Sequence, residues 1–200
     1  MPQLEYLDLH ISTYSDDSIS DLDSFQSLFN LKSLNLESGG KLENINFLSS
    51  CKKLEKLTLG LSGSYSSELK INNIEAISDL QNLKELNIGV IEQDFRISHI
   101  GKCENLEKLY LTFDDRNANY DLYELNSCTK LTELKIVGGF PYTINADVFS
   151  INGITTPKNL RILSISPNFR SNLNIESISS SETQKEEDGF KTVKGNHITD

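Results

Sequence analysis

Apolar residues return along this chain in one phrase: two leucines three positions apart, then a third apolar residue two positions further on. The phrase L-x-x-L-x-L, with Ile in the last place of some copies, occurs seven times. The copies are Leu4/Leu7/Leu9, Leu31/Leu34/Leu36, Leu54/Leu57/Leu59, Leu83/Leu86/Ile88, Leu106/Leu109/Leu111, Leu131/Leu134/Ile136 and Leu160/Leu163/Ile165. Their first residues lie 27, 23, 29, 23, 25 and 29 positions apart. The i, i+2 half of the phrase predicts a short strand, with Leu57 and Leu59 pointing inward and Lys56 and Thr58 outward. The connecting segments carry apolar pairs at Leu22/Phe25, Ile45/Leu48, Ile74/Ile77, Ile97/Ile100 and Leu122/Leu125. That spacing suits a single turn of α- or 3₁₀-helix. No unit of this size buries its own apolar face, so the units must stack into a solenoid, with parallel strands hydrogen-bonded to their neighbours.

A second apolar slot sits three residues ahead of the phrase, at Leu28, Cys51, Leu80, Cys103 and Cys128, with Pro157 in the last copy. On these residues the chain resembles leucine-rich repeat proteins over Leu4–Ile165. Cys103–Leu111 is similar to the cysteine-containing repeats of F-box substrate receptors. Ile74–Ile88 is nearer the short repeats of phosphatase-regulatory proteins. The resemblance implies an α/β fold: a leucine-rich repeat solenoid of about seven repeats, with a curved parallel sheet on the concave side and short helical or irregular segments on the convex side. It also implies a role in substrate recognition within a ubiquitin-ligase receptor. One slot departs from the family pattern. Three residues after the last leucine, where the family places Asn or Cys, this chain has Ser12, Gly39, Ser62, Ile91, Asp114, Gly139 and Asn168. Differing local chemistry must therefore close the turns.

The outward strand positions form the expected binding face. Partner contact is assigned to Tyr6, Asp8, His10, Asn35, Lys56, Thr58, Glu85, Asn87, Lys108, Tyr110, Glu133 and Lys135. Gly60 and Gly89 are expected to leave a shallow trough between them. The extra residues of the long repeats, Ile11–Ser20, Leu61–Lys70 and Gly138–Asn152, read as loops on one rim that carry Tyr14, Tyr65, Phe140, Pro141 and Tyr142. Aromatics on such loops are natural anchors for a partner. Seven strands at ~4.8 Å and four residues of strand make a face of roughly 400 Å². That is about half of the ~800 Å² a typical partner covers.

Charge narrows the partners. The formal net charge is −10, and residues 1–30 hold six acids with no Lys or Arg. A negative field repels phosphate backbones, so nucleic acid is not expected, whereas a basic protein or peptide is. No apolar run approaches the ~18 residues that span a bilayer, and no membrane partner is expected. The three cysteines share one repeat slot, which points to packing. A Cys103–Cys128 disulfide between adjacent repeats is the alternative. The odd number and the lack of C-x-x-C spacing favour reduced thiols, and with them an intracellular setting, cytoplasmic or nuclear.

Enzyme chemistry finds little support. His10, His99 and His197 fall in different repeats or in the tail, and His10 shares a face with Asp8 but with no nucleophile in the expected geometry. Asp114-Asp115-Arg116 reads as a turn closed by Asp side chains. Gly39-Gly40 and Gly138-Gly139 lack the Lys-Ser/Thr of a phosphate-binding loop. The expectation is a module without catalysis, cofactor or metal. Residues 1–178 read as the repeat domain, lacking an N-terminal cap, and 179–200 as a disordered polar, acidic tail. An uncapped first repeat suggests stacking on another copy or on the rest of a longer parent chain.

Overall fold

A computed structural model describes residues 3–11, 18–19, 22–38, 41–42, 44–61, 74–91, 97–113, 119–138, 148–152, 159–166 and 172–174. In chain order the strands begin with β1 (Tyr6–Ile11), β2 (Ser18–Ile19), β3 (Ser33–Ser38) and β4 (Lys41–Leu42). Next come β5 (Lys56–Leu61), β6 (Glu85–Ile91), β7 (Lys108–Phe113) and β8 (Asn119–Asp121). The last four are β9 (Glu133–Gly138), β10 (Val148–Asn152), β11 (Ile162–Ser166) and β12 (Asn172–Asn174). Short 3₁₀ segments cover Asp23–Ser27, Asn46–Ser50, Ile74–Asp79, Ile97–Lys102 and Tyr123–Ser127.

The seven phrase strands form one open sheet in the order β1-β3-β5-β6-β7-β9-β11, and every pairing is parallel. Equivalent leucines face each other in register, as Leu34 does with Leu7 and Leu57. Between repeats, one carbonyl at the strand foot accepts two consecutive N–H groups of the next repeat. Glu5 O takes Lys32 and Ser33, Lys32 O takes Glu55 and Lys56, and the rule continues to Thr132 O, which takes Arg161 and Ile162. The inward residues of the inner repeats are sealed, with Leu31, Leu57, Leu86 and Leu109 at most 1% exposed.

The three-residue spacing of the second slot has a direct cause. Leu28 N–H donates to Phe25 O and Leu31 N–H to Leu28 O, and the same pair of i→i+3 bonds recurs through Cys51, Leu80, Cys103 and Cys128. Two successive 3₁₀ turns therefore carry the chain from the back of the solenoid to each strand. The cysteine thiols point across the repeat boundary: Cys51 Sγ to Leu28 O (3.7 Å), Cys103 Sγ to Ile77 O (3.4 Å) and Cys128 Sγ to Ile100 O (3.6 Å). Each thiol is a small apolar residue with a weak donor, placed where a preceding carbonyl is buried. All three are free.

A polar ladder also runs along the turns. Asn82 Nδ2 donates to Lys52 O (2.7 Å), Asn105 Nδ2 to Gln81 O (2.7 Å) and Asn159 Nδ2 to Thr129 O (2.6 Å). Lys53 Nζ and Lys130 Nζ donate to Asn30 and Asn105 in the same row. These residues all stand immediately before the first leucine, a slot that reads Gln3, Asn30, Lys53, Asn82, Asn105, Lys130 and Asn159.

Two expectations about the long repeats need correction. Ile11–Ser20 and Gly138–Asn152 are not loops throughout, because β2 pairs with β4 and β10 pairs with both β8 and β12. The extra residues of neighbouring repeats run side by side, and their main-chain groups pair with one another. The irregular turn slot is described only at Ile91, where β6 carries one extra residue between Ile88 and Ile91 and resumes pairing at Phe113. Ser12, Gly39, Ser62, Asp114, Gly139 and Asn168 lie outside the described residues, as do the tail 179–200 and His197.

Truncating Leu86 to Ala is expected to cost about 2–5 kcal/mol in denaturant unfolding, since its side chain is sealed from solvent between Leu57 and Leu109 of the neighbouring repeats. On the back of the solenoid a Cβ at Gly101 would stand 2.6 Å from Glu124 O and 3.1 Å from Ser127 Oγ. Gly101→Ala should therefore destabilise by about 1–3 kcal/mol despite adding a single methyl group. Burial pushes the thiols of Cys51 and Cys128 up to about 11 and that of Cys103 up to about 12. A thiol reagent at neutral pH should label none of the three in the native protein and all three in denaturant. Fast native labelling would contradict the packing.

Candidate functional site

The outward residues of the main sheet align into three rows across the strands. The first is Tyr6, Ser33, Lys56, Glu85, Lys108, Glu133 and Ile162. The second is Asp8, Asn35, Thr58, Asn87, Tyr110, Lys135 and Ser164. The third starts with His10, Glu37 and Gly60 and ends with Thr112, Val137 and Ser166. All twelve residues assigned to partner contact thus share one face, none of them buried. The rim residues Tyr14, Tyr65, Phe140, Pro141 and Tyr142 lie outside the described residues.

Charges on this face are compensated in place. Lys56 Nζ lies 3.3 Å from Glu85, and Lys135 Nζ pairs with Glu133. Lys135 also sits over the Tyr110 ring, 4.9 Å from its centroid, in cation–π geometry. Glu133 is held below the ordinary carboxylate range, chiefly by the hydrogen bond from Lys135, and it also accepts from the Tyr110 hydroxyl. Tyr110 is pushed up to about 12, first by desolvation and then by the charge and hydrogen bond of Glu133 and the charge of Glu85. Tyr110, Glu133 and Lys135 are therefore one locked cluster, joining strands β7 and β9.

The β1 end is arranged differently. His10 Nε2 lies 3.2 Å from Asp8 Oδ1, and its Nδ1 lies 3.0 Å from Glu37 Oε2. Asn35 Nδ2 donates to Asp8 Oδ1 (2.8 Å) and reaches Glu37 Oε1 (3.5 Å). Both ring nitrogens of His10 thus lie within hydrogen-bond distance of a carboxylate. Asn35 Oδ1 is shielded and has no hydrogen-bond partner among the described residues. The trough expected at Gly60 is filled, because the Glu37 stem crosses it with Cγ 3.3 Å from where a Cβ would stand. Gly89 lies in the irregular stretch of β6. Among the described residues there is no cluster of three metal-ligating side chains, and no helix is long and apolar enough to cross a membrane.

No protein-family model matches the chain, and no curated protein matches it by sequence. Solved structures do match. An internalin (inlF) from Listeria monocytogenes is similar with a TM-score of 0.54 at 20% identity, over 86% of this chain and 54% of that one. Internalin C2 of the same organism gives 0.51 at 20% identity, over 84% of this chain and 64% of that one. A leucine-rich repeat protein of Leptospira interrogans gives 0.45 at 19% identity, over 77% of this chain and 40% of that one. The chain spans 54% and 64% of the lengths of the two internalins. At such identity the likeness shows the fold, a leucine-rich repeat solenoid.

The Tyr110 cluster makes a pH prediction. The neutral phenol contributes stability that is present below pH 10 and is lost as pH rises through about 12. In an ultraviolet-detected titration Tyr110→Phe should remove one phenol from the high-pH limb, near 12. An unchanged high-pH limb in the variant would show that the cluster does not form.

Proposed function

We infer that this chain is a non-catalytic protein-interaction module that takes an extended peptide or protein segment across the outward face of the main sheet. The observation that carries this reading is the face itself: three aligned rows of polar, charged and aromatic side chains that the core does not use. Ion pairs and the cation–π contact hold several of them in place before binding, which lowers the ordering cost of recognition. Because Lys56 and Lys135 are paired within the face, net charge there supplies little affinity. Tyr110, flanked by Thr112 and Val137, is the natural anchor. A Lys or Arg of the partner fits the β1 end, where the carboxylates of Asp8 and Glu37 stand together around His10. The face offers roughly half the area a folded partner covers, which favours a peptide.

A role in substrate recognition for a ubiquitin ligase is a narrower form of this reading and rests on the cysteine slot alone. That slot has a packing cause in the weak thiol bonds across repeats. An intracellular setting belongs to the same reading and is supported by three thiols packed as core residues.

Selection of peptides from a random display library against the whole chain tests the function. Peptides that bind should carry a basic residue and lose about tenfold or more on Tyr110→Ala, and on a Lys56→Glu/Lys108→Glu/Tyr110→Ala variant shown to be folded. Tyr123→Ala, on the opposite side of the solenoid, should leave binding unchanged. Peptides indifferent to the face variants would sink the proposal.

A further inference from the structure

Once the ion pairs of the outward face are subtracted, an uneven remainder is left. Its three rows carry the bases Lys56, Lys108 and Lys135 and the acids Asp8, Glu37, Glu85 and Glu133. Lys56 is taken up by Glu85 at 3.3 Å, and Lys135 by Glu133. Lys108 stands between those two acids in the first row, yet it is exposed and belongs to no ion pair among the described residues. Asp8 and Glu37 have no Lys or Arg beside them among the described residues; His10 and the Asn35 amide lie between them. Even a proton on His10 would leave that end negative.

These uncompensated charges of opposite sign stand at a fixed separation. From the midpoint of Asp8 on β1 and Glu37 on β3 to Lys108 on β7 is three and a half strand intervals and one and a half rows. At ~4.8 Å per strand and ~6.6 Å per row this is about 17 Å by about 10 Å, or roughly 20 Å in a straight line. An extended chain covers that distance in about six residues. The line crosses Thr58 and Asn87 of the second row, neutral polar side chains that are not buried. A hydroxyl and an amide there suit the main chain of a crossing peptide, which offers donors and acceptors along its length.

We propose that the partner segment is an extended peptide with a Lys or Arg about six residues from an Asp or Glu, the base lying between Asp8 and Glu37 and the acid on Lys108. This rests on the peptide-binding reading above and narrows it to one charge pattern. Tyr110 follows Lys108 by two residues on the same face of β7, so the anchor ring packs next to the segment's acid. The two ends fix which way the segment runs. Reversed, it would set its base against Lys108 and its acid against two carboxylates. A segment with two bases, or with two acids, loses one contact and meets a like charge in its place. Exposed pairs each add little affinity, so the pattern acts chiefly by discriminating among peptides.

Random display peptides long enough to cross the sheet, selected against the full chain, supply the probes. Among those that lose binding on Tyr110→Ala, a base and an acid about six positions apart should be enriched. For a synthetic peptide of that kind, Lys108→Glu should weaken binding about tenfold at low salt, and changing the peptide's acid to Lys should restore binding to that variant. Asp8→Lys/Glu37→Lys should act in the same way on the peptide's base, with recovery when that base becomes Glu. Circular dichroism establishes that each variant is folded, and if the double variant is not, Lys108→Glu alone carries the test. Tyr110-dependent peptides that lack the spaced pair, or are indifferent to Lys108→Glu, or are not restored by the charge swap, overturn this proposal and leave the binding reading standing. If no Tyr110-dependent peptide emerges, the binding reading fails and this proposal fails with it.

Discussion

The carbonyl at the foot of each strand accepts two N–H groups from the next repeat, and the leucines above it are sealed only when the next leucines arrive. Neither event can occur within one repeat of 23 to 29 residues. Stability is therefore a property of the boundary between repeats. The other regularities of the molecule serve that boundary. Paired i→i+3 turns return the chain to the same place each time. The thiols of Cys51, Cys103 and Cys128 lean on buried carbonyls of the repeat before, and the asparagines ahead of the leucines tie one turn to the previous one.

Once the inward positions are committed to the stack, the outward positions are free to vary, and recognition can be written there without cost to the core. What is written is largely neutral in sum: Lys56 against Glu85, and Lys135 against both Glu133 and Tyr110. Such pairs hold side chains in fixed places while cancelling long-range attraction. Contacts of this kind select a partner by fit and hydrogen bonding more than by charge. The β1 end departs from this, with two carboxylates around His10 and a shielded amide oxygen on Asn35. The face thus carries two different clusters along the stack, Asp8, His10 and Glu37 at β1 and β3, and Tyr110, Glu133 and Lys135 at β7 and β9.

The ends of a solenoid differ physically from its middle. An inner repeat has both edges paired and both apolar sides covered, while β1 keeps one of each open among the described residues. A sheet edge with partly covered leucines is a surface that pairs readily with a further strand.

Much of the fold was legible in one sequence because the strand period of two and the turn spacing of three are local. Leu57 and Leu59 inward, Lys56 and Thr58 outward, and a 3₁₀ turn ahead of Leu106 all follow from residues a few positions apart. The twelve outward residues were found for the same reason, since alternation alone places them on one face. What tertiary structure decided are contacts between residues 23 to 31 positions apart, which no local pattern encodes. These include the pairing of β10, from a segment read as a loop, with β8 and β12, the Glu37 stem across Gly60, and the Glu37 carboxylate against His10. Composition names the side chains available at each step of the stack. Which of them meet depends on the register of one repeat against the next, and that register exists only once the backbone ladder has formed.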